Sequence, residues 1–148
     1  MSDAAPLAED EVKKFVEKWY LDLLDTHAPM DELLACLADE ELEMVFPEQT
    51  ARGHAGFRDW YDRIIHTFFD EAHAIKELSV SIDGEVANVN VLVNWQAHTW
   101  TPPEPRSKWL GFNAGQRWVV KRSPTTGQPM VVKYIVDTFD PMEGSTGL

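Results

Sequence analysis

The feature that most constrains this 148-residue chain is the order in which its hydrophobic periods change. Helical spacing comes first, a short alternating run interrupts it, helical spacing returns, and period two then holds almost to the C-terminus. Helices grouped ahead of an antiparallel sheet can close against it as a cone with a ligand-sized cavity inside. The expected class is therefore α+β: a curved, cone-like antiparallel sheet of four to six strands wrapped around three N-terminal helices.

Each element is legible in the residues. Val12, Phe15, Val16, Trp19 and Leu23 recur at i, i+3, i+4 spacing among Lys13, Lys14, Glu17, Lys18 and Asp22, which predicts an amphipathic helix over residues 9–24. Pro29 disfavours a helical conformation at Ala28, and a second helix is expected over 30–37. Leu42, Met44 and Phe46 alternate with Glu43 and Val45 until Pro47, as in a short half-buried strand. Phe57, Trp60 or Tyr61, Ile64 and Phe68 then mark a third helix.

From His73 the period is two. Ala74, Lys76, Leu78, Val80 and Ile82 share one face, and Asp83-Gly84 reads as a hairpin turn. In the next strand Ala87, Val89, Val91, Val93, Trp95 and Ala97 form an apolar face opposite Asn88, Asn90, Asn94, Gln96 and His98. Thr101 to Arg106 holds three prolines and must be a loop. It is flanked by Trp100 and Trp109, as either a rigid interface element or a lid. The following strand aligns Leu110, Phe112, Ala114, Gln116, Trp118 and Val120, so a polar Gln116 interrupts an apolar face. Ser123 to Gln128 turns into a last strand over 130–139. A single domain spanning 1–148 is expected, with mobile ends at about 1–8 and 141–148.

Charge narrows the partners. The formal net charge of −12 repels nucleic acid and anionic membranes, and no apolar run approaches a transmembrane length, so a cytoplasmic protein is expected. The single cysteine, Cys36, permits no internal disulfide and reads as a small buried hydrophobe. Histidines 27, 54, 66, 73 and 98 form no i, i+4 pair, HExxH or His-x-His motif, so neither a metal nor another cofactor is predicted. His54 is either part of the cap of the third helix or a contact for an anionic ligand there. No phosphate-binding glycine loop and no GxSxG elbow is present. The remaining candidates are aromatic. Trp19, Trp60, Trp95 and Trp118 fall on predicted core faces with Tyr20, Phe46 and Phe112 nearby, which points to a pocket for a small hydrophobic or aromatic molecule. Asp137, between Ile135 and Phe139, is a candidate cavity acid.

Four local features in this order resemble the NTF2-like superfamily, and its SnoaL-like members in particular. They are Leu37-Ala38-Asp39-Glu40 before the first strand, Arg52-Gly53-His54-Ala55-Gly56-Phe57 opening the third helix, the Ile82-Asp83-Gly84 hairpin, and the closing tryptophan strand. The resemblance implies a curved sheet around three helices and a homodimer through the outer sheet face. Function does not follow from it, since folds host many chemistries. The ketosteroid isomerase branch would place its hydroxyl donor at Trp19, its acid at Gln116 and its base at Phe46, and a phenyl ring cannot abstract a proton. The branch that includes scytalone dehydratase and lindane dehydrochlorinase implies a catalytic His73 oriented by Asp25, with Trp19, Tyr20 or Gln116 donating hydrogen bonds to a developing oxyanion. Strict alternation from Leu78 and Val80 turns His73 away from the cavity unless the strand is bulged. The expected function is thus a small-molecule pocket with cofactor-free lyase or isomerase chemistry; the alternative is a non-catalytic binding or dimerisation module whose pocket is filled by side chains.

Overall fold

In the computed structural model, which describes residues 5–148, the first helix α1 (Glu9–Glu17) continues without a break into a π-helical stretch, Lys18–Leu24. The wider turn suits the sequence. Trp19 and Tyr20, then Leu23 and Leu24, are neighbouring large apolar residues, and all four are buried. The stretch closes with the Asp25 amide donating to the Tyr20 carbonyl at 3.1 Å, which sets Asp25 at the helix end.

Helix α2 (Met30–Leu34) follows, shorter than expected, and then strands β1 (Glu43–Val45) and β2 (Thr50–Arg52). Strand β2 is a short element where the sequence predicts only a turn. Helix α3 (Gly53–Thr67) starts at Gly53, whose φ of +66° is the left-handed region a glycine enters freely. The Asp39 carboxylate accepts the His54 amide there at 3.0 Å, and the His54 ring bonds the Leu37 carbonyl at 3.0 Å. The Leu37–Glu40 and Arg52–Phe57 motifs therefore touch each other, and His54 is part of this helix start.

Four long strands complete the fold: β3 (Phe68–Asp83), β4 (Val86–Thr99), β5 (Lys108–Arg122) and β6 (Pro129–Pro141). The six strands form one sheet in the order β2-β1-β6-β5-β4-β3. The expected sheet is antiparallel throughout, but β1 runs parallel to β6. No hairpin joins those two strands, so no turn forces their directions to oppose. The apolar faces predicted for β4 and β5 meet the helices and bury Val89, Val91, Val93, Leu110 and Trp118. Each such side chain contributes roughly 1.5–3 kcal/mol of burial. Cys36 is also buried, and burial pushes its thiol up.

Both ends expected to be mobile make contacts where they are described. Residues 1–4 of the N-terminal segment lie outside the described residues, while Leu7 is buried and the Ala5 and Pro6 carbonyls accept hydrogen bonds from Arg122. The C-terminal segment docks on β5: the Met142 amide donates to the Gly111 carbonyl at 2.9 Å and the Thr146 amide to the Trp109 carbonyl at 3.1 Å. Among the described residues no helix is long and apolar enough to cross a membrane.

Candidate active site

Three of the four β-bulges in the long strands decide what faces the cavity. In β3, Ile75 pairs with Val93 and Glu77 with Leu92, leaving Lys76 as an extra residue. The bulge reverses the alternation, so His73 and Ile75 share the inner face with Leu78 and Val80 although their spacing is wrong for a regular strand. A second bulge lies between Phe69 and Ala72, where Asp70 has φ +50°, and it turns Phe68 inward and Phe69 outward. The third lies in β6, where Asp137 is the extra residue between Val136 and Thr138.

Between the inner face and the helices is a cavity of about 450 Å³, within the usual size range of small-molecule sites. Phe46, Trp60, Phe68, Trp95, Tyr134 and Phe139 make it mainly aromatic, and the Phe46 and Trp60 rings stack with centroids 4.0 Å apart. Exposed Pro47, Glu48, Arg63 and Thr67 surround it on the solvent side. Three polar side chains enter the apolar wall: Glu71, His73 and Gln116.

His73 and Asp25 are in direct contact. The His73 Nδ1 lies 2.5 Å from Asp25 Oδ1, and the His73 backbone amide donates to Asp25 Oδ2 at 3.1 Å. One carboxylate thus holds both the ring and the strand that carries it. The His73 side chain is 8% exposed and that of Asp25 18%. A carboxylate on Nδ1 favours the tautomer with the proton there, which leaves the Nε2 lone pair free. Among the described residues Nε2 has no hydrogen-bond partner within the chain.

Gln116 is fixed from behind. Its Oε1 accepts the Tyr20 hydroxyl at 2.6 Å and the Trp118 indole N–H at 3.3 Å, so the amide is oriented with its NH₂ group left to donate. Burial holds the Tyr20 phenol well above its ordinary pKa, keeping it a neutral donor.

Of the residues expected around a ligand, Phe46, Trp60, Trp95 and Gln116 line the cavity with His73. Trp19, Tyr20 and Trp118 lie behind that wall as packed core, with the Trp19 indole nitrogen unpaired. Phe112, buried on the same inner face, stacks on Phe139 with ring centroids 4.2 Å apart and does not line the cavity. Asp137, expected as a cavity acid, lies outside the cavity. It is exposed and accepts a two-pronged hydrogen bond from Arg117 at 2.6 and 2.9 Å, because the β6 bulge places it and Phe139 on opposite faces.

The sequence did not single out Phe68, Tyr134 and Phe139 of the cavity wall, nor the polar pair Glu71 and His27. Glu71 lies two positions before His73 on the same face, and its side chain is 4% exposed. Its Oε1 accepts the Trp95 indole N–H at 3.0 Å, and its Oε2 contacts the His27 Nε2. The available signal was a mirrored spacing, Asp25-x-His27 against Glu71-x-His73, which pairs the four side chains once the helix end meets the strand.

No family model and no curated protein sequence matches the chain. Solved structures do. A protein from Novosphingobium aromaticivorans provisionally assigned as a scytalone dehydratase aligns with TM-score 0.75 at 16% identity, over 93% of this chain and 88% of that one. The hexachlorocyclohexane dehydrochlorinase LinA-type3 of Novosphingobium barchaimii aligns with TM-score 0.70 at 14% identity, over 94% and 92%. A provisionally assigned dehydratase of the NTF2-like family from Streptomyces avermitilis gives 0.72 at 14%, over 91% and 96%. The chain has the NTF2-like fold, and its neighbours in that fold include dehydratases and a dehydrochlorinase.

Proposed function

We propose that the chain is a cofactor-independent lyase or isomerase acting on a small apolar or aromatic molecule held in the cavity. In this reading the His73 Nε2 lone pair takes a proton from a substrate carbon, and Asp25 stabilises the resulting imidazolium through Nδ1. The Gln116 amide, held by Tyr20 and Trp118, donates to the oxygen on which negative charge develops. Loss of a leaving group from the next carbon, or return of the proton elsewhere, completes the reaction.

The observation that carries this reading is a histidine oriented by a carboxylate in the wall of an aromatic cavity. A pocket filled by its own side chains, the alternative, sits poorly with a cavity of about 450 Å³. The outer sheet face, with Asn90 and Arg117 directed away from the cavity, is left for a second copy of the chain as the partner in this proposal. The test is turnover of aromatic ketones carrying an acidic C–H and a leaving group on the adjacent carbon. His73→Ala is expected to lower kcat by about 10²–10⁴-fold, with a smaller loss for Asp25→Asn and little change in thermal midpoint. Undiminished turnover in His73→Ala overturns the assignment of the base.

A further inference from the structure

We infer that Glu71 is a second catalytic group, the proton donor to a departing oxygen, so that the molecule eliminated is water rather than halide. This inference rests on the lyase reading above. It starts from a buried carboxylate in an apolar wall, which is unfavourable unless it is paired or used. Glu71 and His73 point from one strand face two residues apart, a separation of roughly 7 Å along the strand. Two adjacent carbons and a leaving oxygen fit between such groups.

The partners of Glu71 differ in kind. The Trp95 indole N–H fixes one carboxylate oxygen from inside the molecule, whereas His27 holds the other from outside. The His27 side chain is 28% exposed, so the imidazole joins the buried carboxylate to solvent. That is the arrangement required to replace a proton without opening the cavity. Asp25 and His73, by contrast, are arranged to receive one.

The step balances without a further reactant. The substrate C–H bond breaks with its proton passing to His73 Nε2, and its electron pair forms the carbon–carbon double bond. The adjacent C–O bond breaks with its pair on oxygen, and that oxygen takes the proton of Glu71 and leaves as water. His27 passes a proton to the Glu71 carboxylate and regains one from solvent, while His73 releases its own once product has left. Halide departs as a stable anion and needs no such donor; hydroxide does.

The experiment uses the full chain and two probes of one skeleton, an aromatic β-hydroxy ketone and its β-chloro counterpart. The expected result is that Glu71→Gln lowers the ratio of hydroxy to chloro turnover by about 100-fold or more. His27→Gln, which leaves the carboxylate in place, is expected to lower the same ratio and decides the matter if Glu71→Gln does not fold. An unchanged ratio in both variants, or a wild type that eliminates chloride only, overturns the inference while leaving the lyase reading intact. A wild type that processes neither probe overturns both.

Discussion

The tyrosines show what burial does at single positions in and behind the cavity wall. All three, Tyr20, Tyr61 and Tyr134, are buried. Burial raises Tyr20 and Tyr134 above the ordinary phenol value and pushes Tyr61 up to about 12. The unfolded chain ionises its phenols near about pH 10 while the folded chain keeps those protons. The stabilisation from neutral, bonded phenols is thus complete below about pH 10 and is lost as pH rises towards the folded values. A spectrophotometric titration should show phenolate appearing only together with unfolding; a separate ionisation near pH 10 in the folded protein contradicts it. At this scale the sequence was informative wherever a residue type alone narrows the chemistry, as with Phe46, Trp60, Trp95, Gln116 and His73. It was uninformative for Glu71 and Asp137. Both are acids on a strand, and what separates a buried carboxylate in the cavity wall from an exposed ion pair is the local register.

Elements set that register, and the bulges are where alternation stops being readable. A single extra residue leaves composition and spacing almost unchanged yet exchanges the two faces of everything beyond it. Strand faces were therefore legible in β4, which has regular pairing with β5 throughout, and misleading in β3 and β6. The bulge opposite Gly115 can be tested directly. A Cβ placed there would meet the Thr138 Oγ1 at 2.5 Å, and the Gly115 amide donates to that same oxygen at 3.0 Å. Gly115→Ala is expected to destabilise the fold by about 1–3 kcal/mol, the usual range for overpacking. With Thr138→Ala in the same chain the nearest contact recedes to the β-carbon, at 3.8 Å, and most of the loss should return. Urea denaturation of the two singles and the double variant measures this, and strictly additive losses contradict the steric account.

The whole molecule is what makes the site, because Asp25 and His73 are 48 residues apart and meet only when the π-helical end docks on the first half of β3. The order of periods announced the architecture, since helix and strand patterns are local properties of the chain. How closely one helix end approaches one strand is not local, and the mirrored Asp25-x-His27 and Glu71-x-His73 spacings acquire meaning only once the two have met. The dyad's effect on His73 is the centre of the account and can be read without any substrate. Nitrogen-15 NMR of the imidazole should find the neutral form of His73 carrying its proton on Nδ1 with a bare Nε2, and Asp25→Asn should disturb that tautomer preference. A wild-type His73 with its proton on Nε2 would have no lone pair to offer a substrate in the cavity, and the proposed base would be wrong.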